Sequence, residues 1–181
     1  YEAGSLKLGS TFPELEDLPG AEFWLTHAAK NGSVDALYQI ANCFEHGIGV
    51  EQNYEAAVQN YFEALKRDSI PAAFALGTLY ENGLGVEQNY ETAIKCYNIA
   101  ADKFHISALF NRGRFYQFGW AVAADYKIAH QNYLMAAERG HRVCQFLVGQ
   151  ALIEGIEGTP INLEEGASWL LRAAEAGFVE A

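Results

Sequence analysis

The segment GIGVEQNYEAA, Gly47–Ala57, returns 36 residues later as GLGVEQNYETA, Gly83–Ala93, with nine of eleven positions identical. A near-copy at a fixed step demands that one supersecondary unit be built and then built again. The step reaches well beyond the segment. Ala36 leads to Ala72, Ala108 and Cys144; Gly47 leads to Gly83, Gly119 and Gly155. Tyr54 leads to Tyr90 and Tyr126, and Tyr61 to Tyr97 and Tyr133. Ala28–Ala29 is echoed by Ala100–Ala101 and Ala136–Ala137, after which the step becomes 37 and reaches Ala173–Ala174. The extra residue falls in EGIEGTPIN, a loop that can absorb it.

Each unit reads as two helices. In AAFALGTLYENG, Phe74, Leu76, Leu79 and Tyr80 fall at near-helical spacing and Gly83 ends the run. In NYETAIKCYNIAADK, one face collects Tyr90, Ala93, Ile94, Tyr97 and Ala101, and Asn89 takes the N-cap slot that Asn53 and Asp125 hold in their own units. The segment GLGVEQN between them is a hinge. Its first glycine supplies the left-handed conformation that stops the first helix, and its second keeps the turn tight. Val50 and Val86 point the turn back at the core. A lone helix pair cannot bury its apolar face, whereas a stack of pairs can, which is why the hinge recurs. The third unit departs with GWAVAAD, where Trp120 and Ala121 stand in the second-glycine region; that predicts an altered hinge or an exposed aromatic.

Composition narrows the partners. Half of the 181 residues are hydrophobic and only 19% are charged, so the chain can build a sizeable core. A net charge of -11 disfavours nucleic acid and anionic membrane surfaces, which need Lys and Arg. No apolar run approaches the roughly 18 residues of a spanning helix. Three cysteines, Cys43, Cys96 and Cys144, are too few and too irregular for a disulfide framework and fit a reducing compartment.

The pattern A-x-x-x-L-G-x-x-Y-x-x-G-x-G-V, a polar loop, then A-x-x-x-Y-x-x-A-A, at a period near 36, resembles the Sel-1-like repeat, a branch of the tetratricopeptide-like solenoids. The resemblance covers Ala21 to Ala181: a half unit at 21–35 and full units starting near Ala36, Ala72, Ala108 and Cys144. It implies an all-α, right-handed α/α superhelix of about four helix-pair repeats. It further implies a non-catalytic adaptor of a kind common in bacteria. Residues 1–20, with Pro13, Pro19 and several glycines, read as an extended lead-in or linker. No polar capping helix follows AEAGFVEA, so the chain reads as a piece of a longer array whose open end, near Phe178 and Val179, suits end-to-end association.

Catalytic and metal patterns are missing. No G-x-S-x-G, S-x-x-K, G-x-x-x-x-G-K or H-E-x-x-H is present. This matters because cysteine-rich relatives have been linked to β-lactamase activity. Of the five histidines (His27, His46, His105, His130 and His141), only His105 and His141 share a repeat position. Stacked positions lie about one helix-packing distance, roughly 10 Å, apart, too far to share one ion. These two read as polar residues of the inter-repeat turn. No cofactor is expected. Carboxylates form rows, Glu45 with Glu81, Glu51 with Glu87 and Glu55 with Glu91, which suit a solvated face or the steering of a basic partner.

In tetratricopeptide-like solenoids the first helices line a concave groove. By that resemblance three columns face it. The aromatic column is Tyr38, Phe74, Phe110 and Phe146, the second is Asn42, Thr78, Arg114 and Gln150, and the third is Glu45, Glu81, Gln117 and Ile153. The aromatics suit either a groove floor or packing between repeats. The polar columns suit main-chain contacts to an extended peptide or partner helix. Arg114, a cation in an acidic chain, suits a partner carboxylate. The expected function is therefore a scaffold that holds a protein segment or peptide through Tyr38, Asn42, Phe74, Thr78, Glu81, Phe110, Arg114, Gln117, Phe146 and Gln150. Two alternatives are a structural segment of a larger envelope or secretion assembly, and a cell-wall or β-lactam hydrolase that no motif supports.

Overall fold

The computed structural model describes residues 32–156 and 159–178. Among these are eight α-helices and no strand: α1 Val34–His46, α2 Tyr54–Leu65, α3 Ile70–Asn82, α4 Tyr90–Ala101, α5 Ile106–Phe118, α6 Tyr126–Glu138, α7 Arg142–Glu154 and α8 Leu163–Glu175. The expected lead-in at 1–20 and most of the half unit at 21–35 lie outside the described residues, as does Val179. The chain divides into two compact units between Ala93 and Ile94, inside α4. In the first unit α1 packs on α2 and α2 on α3. In the second, α5 packs on α6, α6 on α7 and α7 on α8. The expected helix-pair repeats are therefore what the chain forms.

Side chains set the start of each helix. The second helices begin at Asn53, Asn89, Asp125 and Asn162, whose side-chain oxygens accept from the N–H groups of Ala56, Thr92, Ile128 and Glu165 at 2.8–3.1 Å. The first helices begin at Ser33, Ser69, His105 and His141. In the last two an imidazole Nδ1 replaces the hydroxyl and accepts from Ala108 N and Cys144 N, both at 3.3 Å. The shared position of His105 and His141 is thus a capping position, which explains both the polarity and the period.

The first helices stop at Gly47, Gly83, Gly119 and Gly155, each left-handed with φ of 67–70°. The cap residue of the following helix then donates its own N–H to the first helix: Asn53 to Phe44 O, Asn89 to Tyr80 O, Asp125 to Tyr116 O and Asn162 to Leu152 O, all at 2.8–2.9 Å. The last of these spans one more residue than the others, so the insertion at EGIEGTPIN is taken up in the loop. Gly85 is both left-handed, φ 69°, and tightly packed: a Cβ there would lie 2.4 Å from the carbonyl carbon of Tyr54. Its counterpart in the third hinge is Ala121, which holds φ 56° despite its side chain. Trp120 is half-buried rather than exposed. It meets Phe115 edge-on at 5.6 Å and stacks on Phe118 at 5.0 Å.

Small residues let the helices close. Ala57, Ala93 and Ala129 are buried at the same step of the second helices. Gly113 in α5 lies beneath Tyr133, whose Cε1 would be 2.4 Å from a Cβ. Gly149 in α7 makes the same allowance for Leu170 at 2.9 Å, placing Leu170 as the counterpart of Tyr133.

Two outcomes follow for stability. Gly85→Ala forces a side chain against backbone and into a disfavoured φ, and is expected to cost more than about 2 kcal/mol. Ala121→Gly removes a left-handed alanine and is expected to gain up to about 1 kcal/mol; urea titrations of both variants check the pair. Acid acts through the capping histidines. Burial holds both imidazoles below their ordinary 6.5, with Arg142 adding to the effect at His141. The unfolded chain therefore takes up protons first as pH falls. The histidine contribution is complete above pH 6.5 and is lost as pH drops through the lower folded values. The melting temperature of a His105→Ser, His141→Ser variant should fall less steeply between about pH 7 and 5 than that of the parent.

Candidate functional site

In the first unit, α1 carries Tyr38, Asn42 and Glu45, and all three turn toward one residue of α2. The Tyr61 ring lies 5.5 Å from that of Tyr38, and its hydroxyl donates to Glu45 Oε2 at 2.6 Å. The Asn42 side chain acts on the same hydroxyl and opposes part of its upward shift. Tyr61 is 1% exposed. Burial, then the Glu45 carboxylate, pushes its phenol well above the ordinary value, so the proton stays on tyrosine. Tyr38 shifts up for the same two reasons. On α3, Phe74, Thr78 and Glu81 are half-buried, and the Thr78 hydroxyl donates back to Ala75 O at 2.7 Å.

In the second unit, α5 carries Phe110, Arg114 and Gln117. The Arg114 guanidinium lies 5.8 Å from the Phe110 ring centroid and 5.1 Å from that of Trp120, so an altered hinge supplies one wall of its seat. Phe110 also stacks on His141 at 4.9 Å and approaches Tyr133 at 6.0 Å. Gln117 Oε1 accepts from the Tyr133 hydroxyl at 2.6 Å, repeating the Glu45–Tyr61 pair. On α7, Phe146 meets Phe178 at 5.1 Å, and Gln150 Nε2 donates to Glu154 Oε1 at 3.0 Å. Each described aromatic contact of the column is to a ring of the same repeat, not of a neighbouring one, and each ring is half-buried rather than sealed.

Gln117 and Gln150 meet at a pocket of about 120 Å³. Tyr126, Ala129, His130 and Tyr133 of α6, Leu147 and Ala151 of α7, and Ile156 and Thr159 of the following loop complete the lining. No Asp, Glu, Lys or Arg is among these. Burial holds His130 below its ordinary pKa, against the opposing pull of Glu165, so the ring is neutral at pH 7. Sequence periodicity did not find this pocket. Beside it in sequence, Ala124 stands where Gln52 and Gln88 stand in the first two hinges.

The remaining candidates are placed as follows. Glu51, Glu55, Glu87 and Glu91 are exposed. Cys43, Cys96 and Cys144 are buried. Burial pushes Cys96 up to about 11 and Cys144 up to about 12, which keeps both protonated at neutral pH. Among the described residues no three His, Cys, Asp or Glu side chains gather as metal ligands, and no helix is long and apolar enough to cross a membrane.

The model of the family described as Sel1 repeat matches residues 34–69, 70–103, 106–141 and 142–178. The chain belongs to the Sel1 repeat family. Its units begin two residues earlier than the alanine column suggests, at the first helical turn. Among solved structures, a protective antigen of uropathogenic Escherichia coli displaying an SLR fold superposes with a TM-score of 0.82 at 25% identity, over 88% of this chain and 34% of that one. A Sel1 repeat protein from Oxalobacter formigenes gives 0.80 at 28% identity, over 88% and 65%. A sel1 repeat protein from Klebsiella pneumoniae subsp. pneumoniae, at 21% identity and a TM-score of 0.56, shares the fold. The chain thus spans about a third of the first of these and just under two thirds of the second. No curated protein matches the sequence. Sel1 repeat proteins are generally non-catalytic protein-interaction scaffolds.

The tyrosine–acceptor pair is a stability element with an internal control. In the fourth repeat both partners are apolar, Ile153 and Leu170. Glu45→Leu strands the Tyr61 hydroxyl and is expected to cost about 1–3 kcal/mol, whereas adding Tyr61→Phe should recover part of that loss. A double-mutant cycle by chemical denaturation, with a coupling near 1 kcal/mol or more, is the check.

Proposed function

We propose that this chain is a non-catalytic scaffold that holds a protein segment on the first-helix side chains of its repeats. The polar contacts in this reading are Asn42, Thr78, Glu81, Arg114, Gln117 and Gln150, with Tyr38, Phe74, Phe110 and Phe146 as an apolar bed. The observation that carries it is the state of the polar column. Asn42, Thr78, Arg114 and Gln150 are half-buried on four successive first helices, and Arg114 is positioned by two aromatic rings. Half-buried polar groups fixed by neighbours lose little entropy when a partner arrives. The general role of Sel1 repeats points the same way.

Phage-displayed peptides selected on the parent chain provide the probe. An Asn42→Ala, Arg114→Glu, Gln150→Ala variant, first shown by circular dichroism to be equally helical, should bind the selected peptides at least about a hundredfold more weakly. Equal binding by the variant would move the interface off the first helices and sink the proposal.

A further inference from the structure

The hinges of the first two repeats show what a polar side chain does at this point of the fold. Gln52 Nε2 donates to Glu45 O at 2.8 Å and to the Tyr54 hydroxyl at 3.0 Å. Gln88 Nε2 donates to Glu81 O at 2.8 Å and to the Tyr90 hydroxyl at 3.3 Å. One carboxamide thus satisfies a helix-terminal carbonyl and a phenol together. The third repeat keeps both acceptors, as Gln117 O and Tyr126, but Ala124 takes the place of the glutamine. Among the described residues neither acceptor has a donor in its place. Gln117 and Tyr126, which is 37% exposed, both line the pocket of about 120 Å³.

The rest of the pocket discriminates. Gln117 Oε1 is engaged by Tyr133 and Gln150 Nε2 by Glu154. Each glutamine therefore offers its other end, Gln117 a donor and Gln150 an acceptor. A charged occupant would lose water without meeting a counter-charge, since the lining carries none. An apolar occupant would leave the glutamine ends and Tyr126 unpaired. A neutral group that both donates and accepts satisfies the lining, and the chain itself uses a carboxamide at the two intact hinges. We propose that the pocket between α5, α6 and α7 is a carboxamide site that takes the side chain of a glutamine or asparagine from a bound peptide. As a recognition element for a partner, it rests on the peptide-binding reading above. Its chemistry does not, because a free amide suffices to probe it.

The probe is N-acetyl-L-glutamine N-methylamide, titrated into the whole ¹⁵N-labelled chain and followed by NMR. The norleucine and glutamate counterparts, which share its two backbone amides, serve as controls. The glutamine compound should give saturable shifts of the Gln117 and Gln150 side-chain amides and bind at least about tenfold better than either control. Ala124→Gln supplies the carboxamide from within the chain and should weaken probe binding at least about tenfold while leaving the fold intact. Equal binding of the norleucine or glutamate compound, absence of saturable shifts, or indifference to Ala124→Gln would each overturn the site. A chain that binds the amide but fails the displayed-peptide test refutes the groove reading and leaves the pocket standing. The converse result does the reverse.

Discussion

Each repeat hangs on one backbone hydrogen bond, from the cap residue of the second helix to a carbonyl two residues before the end of the first. That bond closes the hinge and fixes how the two helices meet. It forms only if the first helix stops abruptly, which a left-handed glycine secures, and only if the second starts at a residue whose side chain also caps it. Three demands thus fall on a seven-residue segment. The near-identity of GIGVEQN and GLGVEQN is their consequence, and the lengthened fourth hinge keeps the bond by letting the loop, not the helices, take the extra residue.

Fixing the helix ends in this way fixes what the last turn of each first helix can reach. In the first and third repeats the third-column residue, Glu45 or Gln117, arrives at the hydroxyl of a nearly buried tyrosine sixteen residues on. An acceptor there is required by burial before any partner is considered. Those side chains therefore hold the repeat whatever else they meet. In the fourth repeat Ile153 and Leu170 replace acceptor and donor together, so no polar group is stranded when the pair is dispensed with.

The architecture was legible because period, glycine placement and cap residues all respond to the same backbone bond. The helices, the N-caps of the second helices and the Sel1 family were readable from Gly83, Asn89 and the alanine columns. The site was legible only as columns. Periodicity says which residues are equivalent, but not which neighbour each one touches: it could not show that Tyr38 leans on Tyr61, that Gln117 holds Tyr133, or that Trp120 folds inward to seat Arg114. Nor could it turn the shared position of His105 and His141 into a capping role, since that depends on which ring nitrogen faces a helix N-terminus. The pocket was hidden for a different reason. Two of its lining residues, Gln117 and Tyr126, are counterparts of residues that a hinge glutamine bridges in the first two repeats, and the alanine at 124 carries no signal until those glutamines are seen at work.

The departures from the repeat's own rules concentrate in its third copy. There a left-handed alanine replaces the second hinge glycine and the bridging carboxamide is gone, whereas the imidazole cap recurs at His141 and the turn slot of Phe104, φ 59°, holds another left-handed non-glycine in Asp68, φ 63°. The left-handed alanine is disfavoured relative to Gly49 and Gly85, which hold the same backbone in the first two hinges. A chain that solves a problem twice and then departs from the solution is under a different constraint at the third site. Among the described residues of the second unit, the third copy also seats a guanidinium between Phe110 and Trp120 and lines a pocket with Gln117 and Tyr126. The third copy is thus where the repeat's local rules and its sequence part most.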